Sequence, residues 1–375
     1  MKLLAQRQFR RVLLIKPSSL GDVLHAVPVL WAVRRRYPRA RISWLVASPF
    51  APLIENHPAL DEVILFDRAE YGRVGRSPAV TADFIRFVAD LRRRRFDLVI
   101  DLQGLIRSGF LAWASGAAVR IGFGQAREFA WAFYTHRIPP IRGEAHAVDR
   151  NFRVCELLGY EGTAIDLSIP VRPEARESLR AKLAELGLQP GSEYLAVAPG
   201  ARWETKRWPP EHFAAAIDAV HDRVGGRAVL LGSPAERPLC DRVADLARSR
   251  PLNLAGKTSL TELVAAVDGA RVALSNDSGT KDVAVALGKP IVTVFGPTNP
   301  LRTSPYGRRG DLFQARLDCS PCYLRKFSRC RYDHRCMREV SPLPVAERLI
   351  YLWCREIRYN VALARNPDLA TTASR

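Results

Sequence analysis

The sequence predicts an α/β protein built from two parallel-sheet domains, and three observations in its 375 residues lead there. Apolar, β-branched runs alternate with stretches of helical periodicity. The strand runs are continuously hydrophobic, as in strands covered on both faces, and do not alternate with polar residues. The same alternation occurs twice, before and after a stretch marked by Gln189, Pro190 and Gly191. Two Rossmann-like domains facing across a cleft are the economical arrangement, because open parallel sheets bind ligands beyond the carboxyl ends of their strands.

In the first series residues 12–15 read as a strand, 16–22 as a Pro/Ser/Gly turn and 23–33 as a helix. Strands follow at 41–47, 62–66 and 97–101, with a helix at 81–94, and the periodicity fades over 125–142. In the second series a strand at 194–198 runs directly into Pro199 and Gly200. Then come a helix at 211–224, a strand at 227–231, helices at 236–247 and 260–267, a strand at 272–274, a short helix at 281–287 and a strand at 291–295. The expected organisation is a first domain over 1–180 and a second over 181–345. A closing helix over 346–360 is expected to pack back on the first domain, and 361–375 reads as a loose tail.

Composition bounds the function. A hydrophobic content of 47% suffices for two ordinary cores. Fifty-seven Lys and Arg against thirty-eight Asp and Glu give a net charge of +19, which favours nucleic acid, anionic lipid headgroups or a phosphorylated substrate. The excess concentrates at Arg34, Arg35 and Arg36, at 92–95 and at 325–335; the first two groups read as solvated helix faces. No apolar run approaches the roughly eighteen residues of a spanning helix, and the basic start runs straight into a strand, so a cytoplasmic location is expected.

Seven cysteines are present. Cys155, Cys240 and Cys354 lie in helix-like apolar stretches and read as buried small hydrophobes. Cys319, Cys322, Cys330 and Cys336, with His334 among them, have the count of a tetrahedral zinc site, but their spacings do not form two tight pairs. Packed or free cysteines and no metal are the expectation.

Three polar segments sit where strands end. In the first, KPSSLGD at 16–22, Gly21 permits close approach of a ligand to the backbone, and the hydroxyls of Ser18 and Ser19 with the free amides of a helix start suit polar or anionic groups. Asp22 has two readings: a helix cap, or a general base accepting the proton of an attacking hydroxyl, with His25 one turn on. The second runs from Pro199 and Gly200 through Arg202, Lys206, Arg207 and Trp208; lysine and arginine there answer a diphosphate whose charge grows as it leaves. The third, SNDSGT at 275–280, is followed by FGPTN at 295–299. Gly279 and the amides after it form an anion-binding turn, Asp277 suits sugar hydroxyls, and Thr298 reaches toward the same ligand.

These segments, with DLQGLIRSG at 101–109, HAVDRN at 146–151 and RWETKRWP at 202–209, resemble the lipopolysaccharide heptosyltransferase family, glycosyltransferase family 9, over residues 11–350. The resemblance implies a GT-B fold and an inverting, metal-independent transferase without cofactor. It implies transfer of heptose from ADP-heptose to a lipid-anchored, phosphorylated glycan, the inner core of lipopolysaccharide, at Kdo or the first heptose. It further implies Asp22 as the general base, Lys206 on the donor phosphate, Glu236 on the ribose and Asp277 on the heptose. Ser278 and Gly279 are then near the diphosphate, and Ser19, Gly21, Arg202, Thr280 and Thr298 complete the expected binding set. Asp282 departs from the histidine usual in the family, and Arg202 is the residue expected to offset its charge. Weak peripheral contact with an anionic membrane, through the arginines at 34–36 and 92–95, and no nucleic acid partner complete the expectation. The rival readings are a transferase using another nucleotide sugar and a non-enzymatic binder of anionic surfaces or nucleic acid.

Overall fold

The computed structural model describes residues 2–67, 69–141, 143–160, 164–355, 359 and 362–364. The chain divides into two compact units, Met1–Pro170 with Ala362–Arg375, and Val171–Val361.

The first unit is a six-stranded parallel sheet. Its strands are β1 (Arg11–Ile15), β2 (Arg41–Val46), β3 (Glu62–Leu65), β4 (Leu98–Asp101), β5 (Val119–Phe123) and β6 (His136–Ile138), in the order β3-β2-β1-β4-β5-β6. Central β1 pairs with β2 and β4 in register Val12 to Ile42 and Leu98. Leu13, Ile15, Leu45, Val99 and Leu111 are buried in a core on one face of the sheet. A short β7 (Ala164–Asp166) pairs antiparallel with β14 (Ala362–Ala364). The expected loose tail therefore contributes a strand, and its other residues lie outside the described ones.

The second unit repeats this topology with β8 (Tyr194–Ala198), β9 (Arg227–Leu230), β10 (Leu252–Asn253), β11 (Val272–Asn276), β12 (Ile291–Phe295) and β13 (Leu312–Gln314), ordered β10-β9-β8-β11-β12-β13. In both units the order reverses beside the first strand, the arrangement that leaves a crevice at the strands' carboxyl ends.

Two domain expectations are corrected. The second unit begins at Val171, earlier than the expected boundary, because helix Pro173–Glu185 packs on helix Leu260–Gly269 and ties to it through Arg176–Asp268 and Lys182–Glu262. The closing helix is Pro342–Cys354, and it packs on helix Pro210–Val224 of its own unit. Its Val345, Leu349 and Leu352 join the core of the second unit with Val197, Trp208 and Val294, and Trp353 fills the space beside Gly226, where an added Cβ would stand 2.3 Å from the indole.

Candidate functional site

In the first unit the helix expected over 23–33 is two helices, Leu20–Leu24, which starts early because Ser19 caps it, and Val27–Arg36. Asp22 is the third residue of the first, and both readings of this side chain meet in one geometry. Ser19 donates its amide (3.0 Å) and its hydroxyl (2.8 Å) to Asp22 Oδ2, closing a capping box, and Oδ1 takes neither. Burial alone would raise the Asp22 pKa, but the Lys16 charge, the Ser19 bonds and His25 outweigh it and hold the carboxyl below its ordinary range.

Lys16, which the sequence reading did not single out, is buried at the end of β1, with Nζ donating to the Leu102 carbonyl at 2.8 Å. Burial lowers its pKa, against the opposing pull of Asp22 and Asp101. Asp101, fully buried at the end of β4, accepts from the amides of Gln103 (2.8 Å) and Gly104 (3.2 Å) and from the Tyr134 hydroxyl (2.7 Å). Gly104 lies at φ +67°, where a Cβ would be strained. The DLQG segment is thus pinned beside β1. The HAVDRN segment arrives through helix Ala147–Leu157, where Asn151 donates to the His25 carbonyl at 3.1 Å and the His146 and His25 rings meet edge to face at 5.4 Å. Ser19, Gly21, Asp22 and His25 therefore occupy one site at the carboxyl end of β1, supported by two sequence-distant segments.

In the second unit the expected residues converge on Asp277. Lys206 Nζ lies 2.5 Å from its Oδ2, and the Thr298 hydroxyl donates to the same oxygen at 2.9 Å. Lys206 also stands over the Trp203 ring at 4.5 Å. The loop after β8 is fixed by buried Asn276, whose Oδ1 accepts from the Trp208 amide (3.0 Å) and whose Nδ2 donates to the Pro199 carbonyl (2.6 Å). Glu236 accepts from the amide and hydroxyl of Ser233, both at 2.8 Å, and presses on Gly200: an added Cβ there would stand 2.1 Å from Glu236 Oε1. Ser278, Gly279 and Thr280 start helix Gly279–Ala286, and the Ser278 hydroxyl is buried without a hydrogen-bond partner. A half-buried ammonium, a carboxylate, two hydroxyls and a helix start within one strand-end cluster can bind a phosphorylated, hydroxyl-bearing ligand.

Such a cluster at the ends of β8, β11 and β12 is where the sequence resemblance expects the donor, and the comparisons bear on the family itself. Residues 84–332 match the family model described as glycosyltransferase family 9 (heptosyltransferase). The chain belongs to that family. This glycosyltransferase is 31% identical over 325 residues to lipopolysaccharide heptosyltransferase 1 of Pseudomonas aeruginosa, covering 86% of this chain and 88% of that one. The structure of Escherichia coli heptosyltransferase WaaC with ADP is 29% identical, with a TM-score of 0.66 over 81% of this chain and 92% of that chain. A family 9 glycosyl transferase from Veillonella parvula shares the fold with a TM-score of 0.78 at 24% identity, covering 92% and 98% of the two chains. The transferase is thus an enzyme with the GT-B fold.

Three charge expectations are revised in this enzyme. Arg202 is exposed, and the charge of Asp282 is met by its neighbour Lys281, whose buried Nζ lies 2.6 Å from Asp282 Oδ1 and 3.8 Å from Asp277 Oδ1. Lys281 also escaped the sequence reading, though the Lys-Asp pair at a departure from the family pattern was a signal for it. The arginines at 34–36 are engaged internally: Arg34 with Asp61, Arg35 with Asp166 at 2.8 Å, Arg36 with the Leu158 and Ala5 carbonyls. Arg94 binds Glu62 and Asp90, leaving Arg92, Arg93 and Arg95 exposed.

The four clustered cysteines line one cavity of about 220 Å³ together with Arg329, Arg331 and Arg335. Burial, then the neighbouring Cys322, Cys330 and Cys319, push the Cys336 thiol up to about 12. Among the described residues no three His, Cys, Asp or Glu side chains are grouped to hold a metal ion.

Proposed function

We propose that this enzyme transfers heptose, with inversion, from ADP-heptose to the inner core of lipopolysaccharide, on Kdo or on the first heptose. The observation that carries the reading is the cluster of Lys206, Asp277 and Thr298 beside the partnerless Ser278 hydroxyl. The Lys206 ammonium pairs with Asp277. An arriving diphosphate competes for that ammonium and releases the carboxylate to accept from sugar hydroxyls, so one ion pair is exchanged for two ligand contacts. Glu236 beside Gly200 suits a ribose, and the ADP of the WaaC structure supports adenosine as the base-bearing group.

In the transfer itself the acceptor hydroxyl oxygen bonds to the anomeric carbon while the bond from that carbon to the β-phosphate oxygen breaks. Asp22 takes the hydroxyl proton, and ADP departs with the electron pair, its growing charge met by Lys206. A carboxylate held below its ordinary pKa is ionised at neutral pH and so ready to accept. The reaction needs no cofactor, and we place the enzyme in the cytoplasm in peripheral contact with the membrane that carries its acceptor. None of the helices among the described residues is long and apolar enough to cross that membrane.

The test is a panel of nucleotide sugars offered to the purified chain, read first as a rise in melting temperature and then as transfer to Kdo-terminated and heptose-terminated acceptors. A ligand that binds only the folded state must stabilise it. ADP-heptose is expected to give the largest rise and the only transfer. A larger rise and transfer with a uridine or guanosine diphosphate sugar would replace this donor with the other one.

A further inference from the structure

The first unit exposes aromatic side chains that its core does not use. On helix Ile106–Ala114, residues Ile106, Phe110 and Trp113 follow the i, i+4, i+7 spacing of one helix face, and Ile106 and Trp113 are 51% and 53% exposed. The Phe110 ring meets Trp113 at 5.8 Å, Phe84 at 6.2 Å and Phe133 at 6.4 Å, which joins the stripe to the neighbouring helix and to the segment after β5. That segment carries Phe129, 74% exposed, and Trp131, with ring centroids 6.3 Å apart. Its Glu128 accepts from the Ile106 amide at 3.1 Å, so the two groups of aromatics share one edge of the unit. Phe129 also sits at φ +58°, a backbone region that a Cβ disfavours.

Around these rings the charge is basic. Arg92, Arg93, Arg107, Arg127 and Arg137 are exposed, Arg137 lies over the Trp131 ring at 4.7 Å, and Glu128 is the acidic member of the segment. Arg92 reaches the end of the aromatic helix, its Cγ 3.6 Å from where a Cβ on Gly116 would stand. Tryptophan with arginine suits the headgroup level of a bilayer, where the ring has an apolar body to bury and the guanidinium an anion to meet. The arginines at 34–36 each have an internal partner, with Arg35 still exposed beside Asp166.

We propose that this face, centred on Trp113, Phe129 and Trp131, is a membrane-docking surface whose occupant is the headgroup region of an anionic lipid bilayer. The inference deepens the membrane part of the proposed function and is independent of the donor's identity. Rings and arginines interleaved on an outward surface fit a fluid, uniformly anionic partner, and the net charge of +19 points the same way.

The experiment is flotation of the full chain with vesicles of phosphatidylcholine alone and of phosphatidylcholine with phosphatidylglycerol, at low and high salt. The variant pair is Trp113→Gln with Phe129→Asn; asparagine tolerates the left-handed backbone, so the melting temperature and its rise with ADP-heptose are expected to stay at the parent's values. The parent is expected to float with the anionic vesicles only, less at high salt, and the variant to lose at least about tenfold in partitioning. Equal flotation with both vesicle types, or parental flotation by the variant, overturns the proposal. So does conversion of a parental dimer to a monomer by the variant in sedimentation, which would make the face a contact between two copies. Should the variant fold poorly, quenching of the parent's tryptophan fluorescence by lipids brominated near the headgroup decides instead, and absence of quenching overturns the proposal. Loss of the donor's melting shift in the parent would refute the proposed donor and leave flotation unaffected, so the two failures are distinguishable.

Discussion

Replacing Lys206 by alanine separates binding chemistry from fold stability. The ammonium lies 2.5 Å from Asp277 Oδ2 on a side chain that is 16% exposed, so its removal deletes the cation assigned to the departing diphosphate. Loss of one such stabilising group costs about a hundred- to a thousandfold in rate, or about 3–4 kcal/mol in the transition state. The fold should lose less. Asp277 keeps the Thr298 hydroxyl at 2.9 Å and the Lys281 ammonium at 3.8 Å, so it is not left as a lone buried charge, and the loss of one charged hydrogen bond is about 1.5–3 kcal/mol at most. The assay is ADP release over a range of donor concentrations, with urea denaturation of the same preparations. Lys206→Ala should lower kcat/KM by the stated factor with a modest shift in the urea midpoint, and Lys206→Arg should recover part of the rate because a cation is restored. An alanine variant with parental donor binding and parental rate would refute the assignment. A variant that fails chiefly by unfolding would show that the pair with Asp277 is structural.

Lys281→Met removes the buried cation that lies 2.6 Å from the buried Asp282 carboxylate, and should cost about 3–5 kcal/mol in urea denaturation; Asp282→Asn added to it should recover part of the loss, and a single variant as stable as the parent would contradict the pairing. Glu262 is held down to about 2 against the opposing effect of burial, through Lys182, Ser178 and Ser259. A depressed carboxyl stabilises the fold above its unfolded pKa, and this contribution disappears as pH falls from about 4.5 through about 2. Glu262→Gln should therefore melt below the parent at neutral pH and approach it in acid, and a melting difference independent of pH would refute that origin.

The strands visible in the sequence are those whose burial on both faces writes a continuous apolar run, such as β1, β8 and β12. Strands β6 and β10 were not legible because they are short edge strands, His136–Ile138 and Leu252–Asn253, with polar residues that the sheet edge tolerates. Helix Pro173–Glu185 is hidden for a different reason: Gln189, Pro190 and Gly191 mark a turn inside the second unit and not its start. The strand-end positions of Asp22, Lys206, Asp277 and Thr298 are legible because glycines and hydroxyls cluster where strands end. Lys16 and Lys281 are not, since lysine composition reads as solvated and only the fold shows that these two are buried. At 34–36 the sequence shows the charges but not their partners, because Asp61 and Asp166, which pair with Arg34 and Arg35, come from later segments.

The central claim is that a carboxylate in the first unit removes the acceptor proton while the second unit holds the donor. It is tested most directly by single-turnover transfer of labelled heptose from ADP-heptose to a Kdo-terminated or heptose-terminated acceptor, comparing the parent with Asp22→Asn. Asparagine keeps the shape of the side chain but cannot take the proton. The account predicts that the variant retains the rise in melting temperature with ADP-heptose while its transfer rate falls by about a hundred- to ten-thousandfold. Transfer by Asp22→Asn at the parental rate, with donor binding intact, would contradict it.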